Sequence, residues 1–215
     1  MKIISVNVGQ PQEVPWNNGL VSTSIFKTSL AGSVRVRRLN LDGDKQADLT
    51  AHGGTNKAVY AYPSEHYAYW SRELGRDQLP WGMFGENLTT LGWNEADVYV
   101  GDRYRVGTAE LMVTQPRTPC YKLGIRFGDP GLIKQFLQSR RSGFYFAVSE
   151  EGEVKAGDPV KLVRRETNTI SIADLNRIYP ADAGERELVQ RALRVEALPE
   201  SWRRYFREQL ANMAS

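Results

Sequence analysis

Residues 114–123 read Thr-Gln-Pro-Arg-Thr-Pro-Cys-Tyr-Lys-Leu and contain Cys120, the only cysteine among 215 residues. Pro116 and Pro119 stiffen the approach to it, because proline fixes φ. Arg117 and Lys122 flank it with positive charge. Nearby cations favour the thiolate, which is the nucleophilic and metal-binding form of cysteine. A free cysteine is also commonly a small buried hydrophobe whose reactivity is irrelevant. Cysteine content favours the inert reading, and the cationic, proline-bound setting favours a reactive one.

Two further stretches gather polar groups. Asp48-Leu49-Thr50-Ala51-His52-Gly53-Gly54-Thr55-Asn56-Lys57 precedes a strand-like run. Adjacent glycines let backbone amides approach a ligand, as in anion-binding nests, and His52 and Lys57 would bring positive charge to a phosphate. The plainer reading is a loop entering a strand. In Phe84-Gly85-Glu86-Asn87-Leu88-Thr89-Thr90, Asn87 carries both a donor and an acceptor. Such a side chain can read a heterocycle edge or cap its own turn. One cysteine and two histidines form no spaced zinc set, and His66, in a helix among aromatics, is given no role. A cysteine protease needs a histidine partner, for which His52 is formally available. Nothing local supports acyl transfer, however, and Cys120 is not expected at a helix start. The chain has no Gly-x-Gly-x-x-Gly element, P-loop or nucleophile elbow.

The elements that must position these residues divide the chain in two. From Met1 to about Arg165 it is a series of short runs rich in valine, isoleucine and aromatics between glycine and proline turns, which predicts strands at 2–8, 24–27, 34–41, 58–62, 97–100, 103–106, 110–114, 144–149 and 160–164. Many short strands suggest a barrel or closed sheet. Val100-Gly101-Asp102-Arg103 and Ala156-Gly157-Asp158-Pro159 open two of them with the same turn, as equivalent corners would. Two helices interrupt this part. One opens at Pro63-Ser64, turns Tyr67, Trp70 and Leu74 inward and stops at Gly75. The other opens at Asp129-Pro130 and turns Ile133, Phe136 and Leu137 inward. Beyond Arg165 the pattern is helical throughout. Ile172, Leu175 and Ile178 form one stripe. Asp182 with Glu185 resembles a capping box ahead of Leu188, Val189, Ala192 and Leu193. Trp202, Tyr205, Phe206, Leu210 and Met213 keep helical spacing after Pro199. These stripes are read as packing surfaces rather than as a cofactor box.

Composition bounds the setting. With 41% hydrophobic residues the chain can bury a proper core. The formal charge of +3, from 28 basic and 25 acidic residues, is mild and scattered. That suits a small anionic ligand better than a nucleic-acid polymer. No apolar run approaches the roughly 20 residues that span a bilayer, and 2–8 is too short for a signal peptide. A single cysteine agrees with a reducing compartment. No membrane association and a cytoplasmic location are therefore expected.

Taken together, the sequence resembles the MOSC family, named for the C-terminal part of molybdenum-cofactor sulfurases, and within it the YiiM-like branch. The matching pieces are Ile25-Phe26-Lys27, Gly43-Asp44 through Ala51-His52-Gly53-Gly54, Lys57-Ala58-Val59-Tyr60-Ala61-Tyr62-Pro63, Phe84-Gly85-Glu86-Asn87-Leu88, Val100-Gly101-Asp102, Gln115-Pro116-Arg117-Thr118-Pro119-Cys120 and Lys122-Leu123. They run in the family's order. The resemblance implies an α+β, mainly β fold: a β-barrel-like MOSC core with flanking helices over 1–165 and a small three-helix domain over 166–215. It implies molybdenum cofactor (molybdopterin), with Cys120 as ligand to the metal and as the catalytic residue. For the cofactor's phosphate it points to His52, Gly53, Gly54, Asn56, Lys57 and Arg117, with Lys27 in the same pocket, and for the pterin ring to Asn87. Asp48 would orient His52 or relay a proton. The implied reaction is reduction of N-hydroxylated compounds, including hydroxylamino purine analogues, to amines. No flavin or iron–sulfur motif is present, so an external electron-donor reductase is the expected partner, and a homodimer is compatible with the exposed tail. The alternative is a non-enzymatic carrier of cofactor or persulfide sulfur on Cys120. One departure from the family pattern is Ala147, where an arginine is common. That anion contact is either missing here or supplied by Arg140 or Arg141.

Overall fold

The β-branched run at the N-terminus forms β1 (Lys2–Val8), which buries Ile3, Val6 and Val8. The computed structural model describes residues 1–47, 53–180 and 185–213. A hairpin follows, β2 (Gln12–Trp16) and β3 (Gly19–Thr23), with Trp16 opposite Gly19. Its two loop residues, Asn17 and Asn18, sit at φ 46° and 62°. That is the backbone a two-residue hairpin turn requires, and asparagine tolerates it. Pro15 masks this hairpin in the sequence, since proline argues against a strand except at an edge.

The segment expected as a strand at 24–27 is a loop outside the sheet; pairing resumes at β4 (Thr28–Leu30). The strand expected over 34–41 ends early, as β5 (Val34–Val36). The chain turns back there, Val36 bridges Leu41, and Arg37 Nε donates to Asp42 Oδ1 at 2.8 Å. A 3-10 turn (Thr55–Lys57) then leads into β6 (Val59–Pro63), buried on both faces. α1 (Glu65–Glu73) follows and buries Tyr67 and Trp70 as its spacing requires.

After β7 (Leu88–Leu91), the strand expected at 97–100 is a turn with a single bridge between Tyr99 and Ser171. β8 (Arg103–Val106) and β9 (Ala109–Pro116) come next. Two helices follow, α2 (Tyr121–Phe127) and α3 (Leu132–Ser139). α2 was not anticipated, and it corrects the expectation that Cys120 lies away from a helix start. α3 begins two residues later than Pro130, because Asp129 Oδ1 accepts from Gly131 N at 2.7 Å and holds a turn there. β10 (Phe144–Glu150), β11 (Gly152–Val154) and β12 (Val160–Arg164) complete the strands.

Eight strands make one sheet in the order β12-β8-β9-β10-β6-β7-β1-β4, antiparallel except for the β6–β7 pair. The two Gly-Asp turns do form matching corners. Gly101 and Gly157 lie at φ 91° and 92°, and the strands they open, β8 and β12, pair with each other. The sheet curls until Lys2 of β1 bridges Pro159, just before β12, but among the described residues the ladder does not close. The expected barrel is therefore an open, strongly curled sheet. The physical reason is that β4 continues the ladder outward from β1, so β12 meets β1 only at its entry turn.

The tail forms three helices, α4 (Ile172–Ile178), α5 (Arg186–Leu193) and α6 (Glu200–Asn212). Ser171 Oγ caps α4 by accepting from Asp174 N at 2.9 Å. Asp182 of the expected capping box lies outside the described residues. The apolar stripes of the tail, including Ile172, Leu175, Val189 and Phe206, join the same core as Val100, Val113 and Phe146 of the sheet side. A second core gathers Tyr60, Tyr62, Trp70, Phe84, Leu123 and Phe136. β6 divides the two, sending Val59 and Ala61 to the first and Tyr60 and Tyr62 to the second, as the period of two in a strand demands.

Candidate active site

The second core supports a cleft into which Cys120 opens. β9 carries the chain to Pro116, the adjoining segment presents Arg117, and Cys120 stands at the N-cap of α2 with extended backbone. Facing them are the 23–27 loop, the 44–47 segment, Gly53, Lys57, Tyr60 of β6, Gly85, Asn87 and Tyr145 of β10. Of the residues anticipated from sequence, Cys120, Lys27, Gly53, Lys57, Asn87 and Arg117 thus share one wall system. Gly54 and Asn56 do not line it. Gly54, at φ 80°, caps the 3-10 turn, and the Asn56 carbonyl accepts from Thr114 Oγ1 at 2.7 Å. Both fix the path of the chain toward Lys57. His52 and Asp48 lie outside the described residues.

Charge in the cleft is held in a definite way. Lys27 is buried and paired with buried Asp44. Asp44 Oδ1 also accepts from Gly9 N at 2.8 Å, and Asp44 Oδ2 accepts from Asn87 Nδ2 at 2.8 Å. Burial lowers the Lys27 pKa against the opposing pull of Asp44. Asn87 Oδ1 accepts from Tyr60 N at 3.1 Å, so both ends of its carboxamide engage the protein. Asn87 acts as a strut for Asp44, joining distant segments of the chain rather than capping its own turn.

Arg117 is buried between rings, with its guanidinium 4.9 Å from the Tyr60 centroid and 5.6 Å from that of Phe136. It donates to the Phe84 carbonyl and, at 3.5 Å, to the Tyr60 hydroxyl. Burial opposes its charge, but Tyr60, Tyr145 and Cys120 favour it, and its pKa is raised on balance. Tyr60 in turn donates to the Ser142 carbonyl at 2.7 Å. Asn176 Nδ2 of α4 donates to Ser142 Oγ at 2.8 Å and to the Arg140 carbonyl at 3.1 Å. A continuous polar path therefore runs from the helical tail to the cleft wall.

The turn that presents Phe84 is organised by Glu86, which is fully buried. Its carboxylate accepts from the Tyr67 hydroxyl, from Gly82 N at 2.9 Å, from Phe84 N at 3.1 Å and from Thr89 Oγ1 at 2.8 Å. Burial raises its pKa against those donors. Arg140 and Arg141 do not supply an anion contact in the cleft. Arg140 lines a separate hollow behind Arg117, and Arg141 stacks 3.8 Å from the Tyr69 ring centroid. Ala147, two residues beyond Tyr145 on β10, opens onto another hollow beside Arg38 and Arg103.

Asp44, Tyr60, Tyr145 and Lys122 are cleft residues that sequence reasoning did not assign. The alternation of β6 and β10 carries the signal for the two tyrosines, and the two-residue step from Cys120 carries the signal for Lys122.

The donor set suits a metal that arrives with an organic cofactor. Among the described residues no group of three or more His, Cys, Asp or Glu side chains could cage an ion. A single thiolate is a soft ligand fit for a redox metal that brings its other ligands with it. Among the described residues, Lys27, Lys45, Lys57, Arg117 and Lys122 line the cleft against one carboxylate, Asp44, a balance that fits an anionic cofactor. The residues present therefore fit molybdenum cofactor.

Comparison with known proteins places this cleft in context. Residues 48–161 match the MOSC domain and residues 170–212 the YiiM-like, 3-alpha helix domain. The chain is 41% identical over 204 residues to YflK of Bacillus subtilis, covering 95% of this chain and 92% of that one. The crystal structure of YiiM from Geobacillus stearothermophilus superposes with a TM-score of 0.81 at 39% identity, covering 97% of this chain and 98% of that one. A Gibberella moniliformis protein named Reductase is 32% identical over 166 residues, which span 76% of this chain and 29% of that longer protein.

Proposed function

The chain belongs to the MOSC-domain family, in the branch that carries the YiiM-like three-helix domain, and from that membership we propose that it is a molybdenum-cofactor-dependent reductase of N-hydroxylated compounds. Its substrates are hydroxylamines and hydroxylamino purine analogues, and its products are the corresponding amines. The observation that carries this reading is Cys120 opening into a cleft lined, among the described residues, by five cationic side chains and one already paired carboxylate.

When bound, molybdenum cofactor supplies two-electron oxygen-transfer chemistry. The protein's part is to hold it and tune its surroundings. Cys120 supplies the thiolate ligand. Lys57 and Arg117, with the Gly53 segment and His52, hold the cofactor's phosphate. Asn87 acts one step back, through Asp44, to fix Lys27 at the same pocket. Arg117, pinned between Tyr60 and Phe136, gives this anion site a fixed geometry, since its fork of donors is already oriented. In the overall reaction R–NHOH takes up two electrons and two protons, the N–O bond breaks, and R–NH2 and water leave. The electrons come from a separate reductase. A reducing, cytoplasmic setting, in which Cys120 stays a thiol, belongs to the same proposal.

The test is reduction of a hydroxylamino purine by cofactor-loaded protein with a chemical reductant. Cys120→Ala should abolish turnover while the circular dichroism spectrum and Tm stay those of the wild type. Full activity in that variant with molybdenum still bound defeats the reading. Intact mass separates the carrier alternative, which requires a persulfide adduct on Cys120 without stoichiometric metal.

A further inference from the structure

We propose that the Tyr145 hydroxyl donates a hydrogen bond to the N-bound oxygen of the substrate. This role rests on the reductase reading and names the residue that meets the bond to be broken. Tyr145 stands on β10 with its side chain at the cleft, and its ring centroid lies 5.0 Å from that of Tyr60, its cross-strand neighbour on β6. The register of β10 against β9 shifts between Tyr145 and Phe146, with Thr114 as the extra residue. Thr114 Oγ1 donates to the Tyr145 carbonyl at 3.1 Å and to the Asn56 carbonyl at 2.7 Å, which pins the bulge. Bulges of this kind re-aim side chains beside active sites.

The two cleft tyrosines use their hydroxyls differently. Tyr60 donates to the Ser142 carbonyl at 2.7 Å and accepts from Arg117 at 3.5 Å, so its hydroxyl is engaged within the wall. Among the described residues the Tyr145 hydroxyl has no hydrogen-bond partner, and it is not one of the unpartnered atoms sealed from solvent. It therefore opens into the cleft that Cys120 also lines. Burial raises the Tyr145 pKa, with Arg117 opposing and Cys120 adding, so the phenol keeps its proton at neutral pH and stands within electrostatic reach of the thiol. The cations of the cleft suit the anionic part of a ligand, whereas a neutral phenol suits a neutral oxygen. As the N–O bond breaks, negative charge gathers on that oxygen, and a donor already fixed in place stabilises it without reorganisation. The amine product has no oxygen there, so the same contact separates an N-hydroxylated compound from its amine.

Tyr145→Phe removes the hydroxyl and keeps the ring. Cofactor-loaded wild type and variant are titrated calorimetrically, without reductant, with a hydroxylamino purine and with the matching amino purine. The variant should bind the hydroxylamino purine about 5–10-fold more weakly, as the loss of one hydrogen bond predicts, and the amino purine with wild-type affinity. With a chemical reductant its kcat/KM should fall ~10²-fold at wild-type molybdopterin content. Equal weakening for both purines makes Tyr145 a packing residue, and a fall in molybdopterin content makes it a cofactor contact; either result overturns the proposal. So does a variant that keeps the wild-type preference between the two purines, or wild-type kcat/KM. An active wild type matched by its variant defeats this role alone, whereas a wild type that reduces no hydroxylamine defeats the reductase reading and this role with it.

Discussion

Lys27 and Asp44 show how single residues set the character of the cleft. The pair is buried, and Asp44 is held by Gly9 and Asn87 as well as by Lys27. Removing one partner of a buried pair leaves an uncompensated charge and costs about 3–5 kcal/mol. Asp44→Asn should therefore lower the unfolding free energy by that order. The pH dependence follows from Lys27, whose pKa burial has lowered below the ordinary lysine value. Below the folded-state pKa both states carry the charge and the burial penalty is present in full. Between the folded value and the higher unfolded value the unfolded chain binds more protons, so stability rises with pH. Loss of Asp44 lowers the folded value further and widens that window. The variant should therefore recover part of its deficit between about pH 7 and about pH 9.5, below the range of tyrosine ionisation, as urea titrations at the two pH values will read. At this scale Cys120 and Arg117 were legible because their signals are local: proline, charge and uniqueness. Asp44 was not, because a carboxylate's partner 17 positions away exists only after folding.

Among the elements, α4 and α2 decide how firmly the cleft wall is set. Asn176 on α4 holds Ser142 and Arg140, Ser142 holds Tyr60, and Tyr60 lies beneath Arg117. Asn176→Ala removes two hydrogen bonds at a half-buried site, which costs about 1–3 kcal/mol. Its more telling consequence is at a distance. Cofactor content or phosphate affinity should fall several-fold in Asn176→Ala, whereas Arg177→Ala one position along, on an exposed ion pair, should leave both unchanged. Titration of both variants with phosphate checks this. The helices with long apolar stripes, α1 and the three of the tail, were readable from periodicity. α2 was not, since Pro119 and Gly124 disguise a seven-residue helix whose inward face is Leu123 and Phe127. The strands expected at 24–27 and 97–100 failed for the converse reason. Their composition suits a strand, but the folded sheet supplies no adjacent edge, and the first of them lines the cleft instead.

For the molecule as a whole, the helical tail and the curled sheet share one core. No helix among the described residues is long and apolar enough to cross a membrane. The interior is rich in tyrosine. Tyr60, Tyr62, Tyr67, Tyr104 and Tyr145 all have raised pKa values, with burial the largest cause in each case, and Tyr104 is pushed up to about 12. Above the ordinary tyrosine value near 10 the unfolded chain loses protons that the folded chain keeps. Stability must then fall as pH rises. Spectrophotometric titration should show these five of the ten tyrosines ionising only as the protein unfolds, in a cooperative step. Smooth titration of all ten in the folded state would contradict the burial described here. The central claim concerns Cys120 and the metal, and X-ray absorption at the molybdenum edge of cofactor-loaded protein reaches it directly. Wild-type protein should show one more sulfur neighbour to molybdenum than Cys120→Ser at equal molybdenum content. An identical sulfur count in the two proteins, or wild-type protein that acquires no molybdenum when produced with cofactor available, would contradict it.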